Sequence, residues 1–206
     1  MEHIKHFSDI LDINEQVLWT GRPKFFPFVM KGLLTGILEI GIGISWIFLS
    51  KDFFNKSDND IPTFTWVFAV IIIATGAWAI LRPLLSFGNT FYACSNRRVM
   101  IRSGIIETII KIIDYDEISD MQVTVNLFEK MSNAGTIRFF SGRTQTDSDN
   151  NVTTKVYEAW EAINDPYAVF KKVKQIAVDI KTDYNYPNAL RPDTNPGYTT
   201  KYEPEK

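Results

Sequence analysis

The sequence predicts an α+β membrane protein: a transmembrane helical hairpin, then a small antiparallel barrel or sandwich of strands closed by a C-terminal helix. Three observations predict it. Residues 32–50 and 62–81 are long apolar runs joined by a short polar loop. Residues 90–163 alternate with period two between turn signals. Residues 164–181 open with a helix start and carry an apolar face at helical spacing.

The second apolar run, PTFTWVFAVIIIATGAWAIL, has 20 residues and no charge. At about 1.5 Å per residue it spans roughly 30 Å, the thickness of a hydrocarbon core. Trp66 and Trp78 lie toward its ends, where amphipathic rings favour an interface. The first run, GLLTGILEIGIGISWIFLS, holds one charge, Glu39, and is flanked by Lys31 and Lys51. Gly32, Gly36, Glu39 and Gly43 share one helical face, and Ala69, Ile72, Gly76 and Ala79 share one on the second run. Small residues let two helices approach closely, so these faces are the expected contact. An ionisable group at mid-bilayer is costly and faces protein or water. Glu39 is therefore an intramembrane polar candidate, either bonding within the hairpin, for instance to Thr75, or across an oligomer interface, or serving a proton or ion path.

Arg22, Lys24 and Lys31 precede the hairpin, and Arg82, Arg97, Arg98 and Arg102 follow it. The connecting loop balances two Lys against three Asp. The positive-inside rule then puts both termini and the soluble part in the cytoplasm. A net charge of −2 over 206 residues argues against bulk nucleic-acid binding. The single cysteine, Cys94, excludes an internal disulfide and suits a reducing compartment. The N-terminus has no apolar stretch of the signal-peptide kind.

Residues 1–27 read as a cytoplasmic arm. His3 and His6 stand i, i+3, but no further ligand follows at a convincing spacing, so no metal is expected. The Val-Leu-Trp-Thr-Gly-Arg-Pro stretch ending at Pro23 is expected to dock on the soluble part or on the membrane interface. The hairpin unit is assigned residues 28–85.

Strands are expected at 90–94, 98–102, 105–113, 120–125, 136–141 and 153–163, with a helical turn at 127–131. Val99 and Ile101 face one way and Arg98, Met100 and Arg102 the other. The run 105–113 is apolar on both faces and is expected to be central. Residues 142–151 read as a polar loop. Asp147, Asp149, Asn151 and Glu158 fit calcium-loop positions, but Val152 stands where the turn needs Gly and Lys155 occupies a ligand position. A solvated loop is the expectation there. Pro166 starts a helix to about 181, with Val169, Val173, Ile176 and Ile180 on its apolar face. Residues 183–206 are rich in Pro, Tyr, Asn and Thr and read as a disordered tail.

The order of these features resembles the membrane-flanked bacterial PH-like domain family (YdbS-like). The resemblance rests on Gln16-Val-Leu-Trp-Thr-Gly-Arg-Pro23, the two apolar runs, Phe91-Tyr-Ala-Cys-Ser-Asn-Arg-Arg-Val-Met-Ile-Arg-Ser-Gly-Ile105, Ile118-Ser-Asp-Met-Gln-Val123, Asn133-Ala-Gly-Thr-Ile-Arg138 and Ile163-Asn-Asp-Pro166. It covers residues 16–181. The family pattern Tyr-x-Leu-Thr-Asn-x-Arg is met at Tyr92, Asn96 and Arg98, with Cys94 and Ser95 as departures. The resemblance implies a PH-like antiparallel β-barrel with a C-terminal helix over residues 89–182, and no catalytic residues or cofactor.

The expected function is a non-enzymatic, multi-pass protein of a bacterial inner membrane that presents a protein- or lipid-interaction module. Its partners would be membrane lipids and a membrane protein or a second copy. Arg97, Arg98 and Arg102 are the lipid- or partner-binding candidates. The alternative is a subunit of a transport or channel assembly using Glu39.

Overall fold

A computed structural model describes residues 6–55, 62–146 and 153–185. The chain forms two compact units. Residues 25–89 make one, and residues up to 24 together with those from 90 onward make the other.

The first unit is a pair of helices, α1 (Phe25–Asn55) and α2 (Thr63–Phe87). Both are long and apolar enough to cross a membrane, by length and composition. Only 11% and 17% of their most apolar windows are buried, so they do not have the enclosure of a soluble core helix. The contact between them runs along small residues. Gly32 lies against Ala79, Gly36 against Gly76, and Gly43 against Ala69 and Ile73, so the helices are antiparallel. A Cβ at Gly36 would overlap the Gly76 carbonyl oxygen and the Ile80 side chain. Near Gly32 the reason is Pro83, which lies inside α2 and has no N–H for the carbonyl of Ala79 four residues earlier. A Cβ on Gly32 would stand 2.5 Å from that oxygen and 2.7 Å from the Pro83 ring. Phe25 and Phe28 meet Phe87 at one end of the pair, with centroids 5.1 and 6.1 Å apart. Toward the other end Trp46 meets Phe68 at 5.3 Å and Lys51 lies 5.8 Å from the Trp66 ring centroid.

Both helices exceed the apolar runs at 32–50 and 62–81. Hydropathy marks where apolar surface ends, whereas Phe25 to Lys31 and Arg82 to Phe87 are compatible with continued helix. Pro27 in the first turn removes an N–H that has no intrahelical partner in any case.

The second unit holds two antiparallel sheets. β1 (Val17–Gly21), β2 (Phe91–Ser95), β3 (Arg98–Ser103) and β4 (Ile109–Asp114) form one in that order. β5 (Asp120–Thr124), β6 (Ala134–Thr146) and β7 (Thr153–Asn164) form the other. The short helix α3 (Leu127–Met131) links β5 to β6, and α4 (Pro166–Asn185) closes the unit. Two sheets closed by a C-terminal helix is the PH-like arrangement. The main core gathers Tyr92, Val99, Ile101, Ile113, Ile137, Phe139 and Trp160 with Val169, Val173 and Ala177 of α4. Ile176 and Ile180 pack at its margin, so the helical spacing read from the sequence is the face that α4 buries. Trp160 is its centre, with Trp19 at 4.9 Å, Phe139 at 5.0 Å and Tyr92 at 6.0 Å.

Several expectations change. Residues 6–24 belong to the second unit rather than standing as a domain of their own, and the stretch ending at Pro23 docks there as expected: β1 pairs with β2, and Phe7, Ile10, Leu11 and Val17 cover Phe91, Ala93 and Met100. Met100 is therefore buried although it shares a face with Arg98 and Arg102, because a second small core lies on that side. The strand expected at 105–113 begins at Ile109 and lies at the edge of its sheet, because the next strand, β5, pairs in the other sheet. Ile106 is 99% exposed. Its turn needs Gly104, whose φ is +142° and where a Cβ would collide with the Glu107 carbonyl. Lastly, β6 extends to Thr146, and α4 continues to Asn185, past the expected start of the tail. The remaining tail from 186, and residues 147–152 of the polar loop, lie outside the described residues.

Candidate interaction surfaces

The three arginines read as one basic cluster are divided among different contacts. Arg98 at the start of β3 reaches the segment before β1. Its Nε donates to Glu15 Oε1 at 2.9 Å and its Nη2 to Glu15 Oε2 at 2.7 Å, and Nη2 also donates to Asp12 Oδ2. The Glu15 side chain is fully buried and the Arg98 side chain is 14% exposed. Ser95 Oγ donates to the same carboxylate at 2.5 Å and accepts the amides of Arg97 and Arg98. Burial alone would raise the Glu15 pKa, yet the hydrogen bonds from Arg98 and Ser95, the Asp12 amide and the Arg98 charge bring it down to about 2. The Arg98 guanidinium is held further into its charged form by the hydrogen bond to Glu15, against the opposing effect of burial.

Asn96 completes this latch. Its Oδ1 accepts the Gln16 amide at 3.0 Å, and its own amide donates to the Gln16 carbonyl at 3.0 Å. Asn96 and Arg98, which carry the resemblance, thus both grip the N-terminal segment. Ser95 retains the hydroxyl of the Thr it replaces in the family pattern. Arg102 Nη1 donates to the His6 carbonyl at 2.9 Å and lies 3.3 Å from His6 Nδ1, while His6 stacks on Phe91 at 4.0 Å. Arg97, on the turn, is half exposed and 3.8 Å from Asp12.

Glu39 lies on the hairpin contact, its Cβ near Gly76. Its Oε2 is buried without a hydrogen-bond partner among the described residues. The Thr75 hydroxyl donates instead to the Ile72 carbonyl of its own helix at 2.8 Å. The bond anticipated between these two side chains is therefore not made.

Cys94 is buried in β2, and burial pushes its thiol up to about 11, with Tyr115 and Lys172 acting in the opposite direction. A thiol so protonated is a small core residue. Tyr92 and Tyr115 are pushed upward by burial as well. Among the described residues no group of three His, Cys, Asp or Glu side chains could hold a metal. His3, Asp147, Asp149 and Asn151 lie outside those residues, and Glu158 pairs with Lys111 at 2.6 Å.

One concave feature was missed by sequence reasoning. An open cavity of about 530 Å³ is lined by Trp19, Thr20, Gly21 and Arg22 at the end of β1, and by Asn164, Asp165, Ala168, Val169 and Lys172 around the start of α4. The Gly-Arg-Pro turn signal pointed at one wall. Nothing in the spacing tied it to Lys172, 150 positions later. Two backbone features set the other wall. Ala162 and Asp165 have φ of 53° and 46°, and the β6–β7 register shifts at Ala162. The Ala162 carbonyl accepts the Lys24 amide at 2.8 Å, which pins the exit of β1 beside α4.

A family model described as bacterial PH domain matches residues 36–164, more than half of the chain. Neither a curated protein nor a solved structure matches it.

Proposed function

From the premise that the chain belongs to the bacterial PH domain family, we propose that it is a non-enzymatic, membrane-anchored interaction protein. The α1–α2 hairpin spans a bacterial cell membrane, and the PH-like unit stands at its cytoplasmic face to meet lipid or protein partners. The observation that carries this reading is the uncovered apolar surface of both helices, which touch chiefly each other. Apolar area of that extent is stable in lipid and not in water. The β1–β2 pairing supports a two-pass topology. β1 precedes α1 and β2 follows α2, so the two ends of the hairpin emerge on one side. The excess of Lys and Arg in both flanks makes that side the cytoplasm. PH domains in general are non-catalytic interaction modules, and tethering raises the effective concentration of partners in the same membrane.

The test is impermeant-maleimide labelling of intact cells. Asp52→Cys, near the hairpin loop, is expected to label, and Glu161→Cys, exposed on β7, is expected to label only after lysis. Buried Cys94 gives little background. Recovery of the chain in the soluble fraction, or labelling of Glu161→Cys from outside, refutes the reading.

The orphaned Glu39 oxygen favours one second reading, a subunit of a transport or channel assembly. Ion flux in proteoliposomes that disappears in Glu39→Gln would establish it.

A further inference from the structure

Trp46 and Phe68 meet at 5.3 Å and mark one flank of the α1–α2 pair. A helix repeats its faces every seven and eleven residues to within about 20°. Glu39 and Thr35 stand seven and eleven residues before Trp46, and Thr75 stands seven after Phe68. One flank of the pair therefore carries three polar side chains near its middle. Thr35 and Thr75 are exposed, and Glu39 is half-buried. Each hydroxyl donates within its own helix, Thr35 to the Lys31 carbonyl at 3.0 Å and Thr75 to the Ile72 carbonyl at 2.8 Å, and keeps its oxygen as an acceptor. Glu39 is the only ionisable residue between Lys31 and Lys51, and its enclosed Oε2 has no hydrogen-bond partner among the described residues. A pair of helices has no interior in which to hide such a group, so in a bilayer this flank needs a polar cover.

We propose that this flank is covered by the same flank of a second copy, the two Glu39 carboxyls pairing across a two-fold axis that runs along the helices. The proposal rests on the anchoring reading above. Copies threaded alike through one membrane hold Glu39 at one depth. A two-fold axis along the bilayer normal then brings each residue near the centre of the face opposite itself. A carboxyl can be its own partner: with one proton held between the two groups, one oxygen donates and the other accepts. The Thr35 and Thr75 oxygens beside it offer further acceptors. A foreign helix would need a matching polar group at that depth, whereas a second copy brings one by symmetry. Confinement in the membrane keeps copies at high effective concentration. Dilution into detergent separates them by mass action and leaves the single hairpin with its orphaned oxygen.

The test uses the full chain in membrane vesicles, with single cysteines placed on opposite flanks and crosslinked by oxidation. Ile42 is 51% exposed and lies one turn from both Glu39 and Trp46, whereas Ile44 is 45% exposed and faces the other way. Ile42→Cys is expected to give at least about ten times more crosslinked dimer than Ile44→Cys; the unaltered chain, whose Cys94 is buried, is the blank. Adding Glu39→Leu is expected to lower the Ile42→Cys dimer about tenfold, the scale of one interhelical hydrogen bond in lipid. Glu39→Gln keeps a group that can pair with itself and is expected to retain the dimer, which separates the pairing from a general loss of hairpin packing. Equal crosslinking from the two flanks, a dimer yield indifferent to Glu39→Leu, or its loss in Glu39→Gln overturns the proposal. Trapping of a different protein in place of the dimer overturns it too and gives the flank to a foreign helix. Recovery of the chain in the soluble fraction removes the anchoring reading before any crosslink forms, so the two failures are told apart.

Discussion

Glu15 and Arg98 carry more of the PH-like unit than their surface-type residue classes imply. A carboxylate taken fully out of water is tolerated because Arg98, Ser95 and the Asp12 amide together supply its hydrogen bonds. Glu15→Ala is expected to destabilise the unit by about 3 kcal/mol, because the largely buried Arg98 loses its buried partner and keeps only the exposed Asp12. Denaturant unfolding followed through tryptophan fluorescence checks it. The pH dependence has a fixed sign. Folding lowers the Glu15 pKa from 4.5 to about 2, so its contribution is complete above about pH 4.5 and is lost as pH falls toward 2. Glu15→Gln is expected to flatten the stability profile within that window and to leave its slope at neutral pH unchanged. Glu39 is the opposite case, a carboxyl with one buried oxygen and no partner for it. Removing an unsatisfied polar group in favour of an apolar side chain of similar length is stabilising. Glu39→Met is therefore expected to raise the thermal midpoint of the detergent-solubilised hairpin if the residue has no transport role. A lowered midpoint would mean that Glu39 has a bonding partner in the assembled protein.

The elements divide by how local their determinants are. α3 was legible because Asn126 and Glu129 form a capping box within four residues, each side chain accepting the other's backbone N–H. α4 was legible from its apolar spacing, and β5 from the inward Met121 and Val123. The placement of β4 was not, because an apolar run on both faces is a property of composition, whereas edge or centre is decided by which sheet the next strand joins, and β5 pairs with β6 rather than with β4. The place of β1 was not legible either, since its partners lie more than 70 residues away with a helix pair between. The partners of the three arginines were not legible for the same reason. Local sequence shows three cations, but the acids that meet Arg98 lie more than 80 positions earlier. The helix contact was legible because small residues at helical spacing have one physical use when backbones cross closely. It gives a direct test. Gly36→Leu forces a side chain onto the Gly76 carbonyl and is expected to cost about 1–3 kcal/mol, read as a lowered thermal midpoint in detergent. Gly41→Ala, where a Cβ meets nothing within 4 Å, is expected to leave the midpoint unchanged or slightly raised.

For the whole molecule, the important fact is that the membrane-type unit interrupts the PH-like one. Its first strand is made before the hairpin and cannot pair until α1 and α2 have been synthesised. Trp19, which packs against the main core on Trp160, arrives on that strand. On the proposed membrane-spanning reading, assembly of the PH-like unit is coupled to threading of the hairpin, since only an even number of crossings returns β2 to the side of β1. The arrangement also implies that the hairpin is dispensable for the fold of the other unit. Gly21 and Tyr92 are strand partners, and antiparallel partners lie about 5 Å apart. Deleting residues 25–89 and joining Lys24 to Thr90 through a short Gly-Asn type linker would turn β1–β2 into an ordinary β-hairpin. That variant is expected to be water-soluble, to retain the Trp19–Trp160 stack as a near-ultraviolet circular dichroism signal, and to unfold cooperatively. A variant that also lacks residues 1–24 is expected to lose that signal and to aggregate, because β2 becomes an open edge over an incomplete core. Equal stability of the two variants would show that β1 is an accessory rather than a member of the fold.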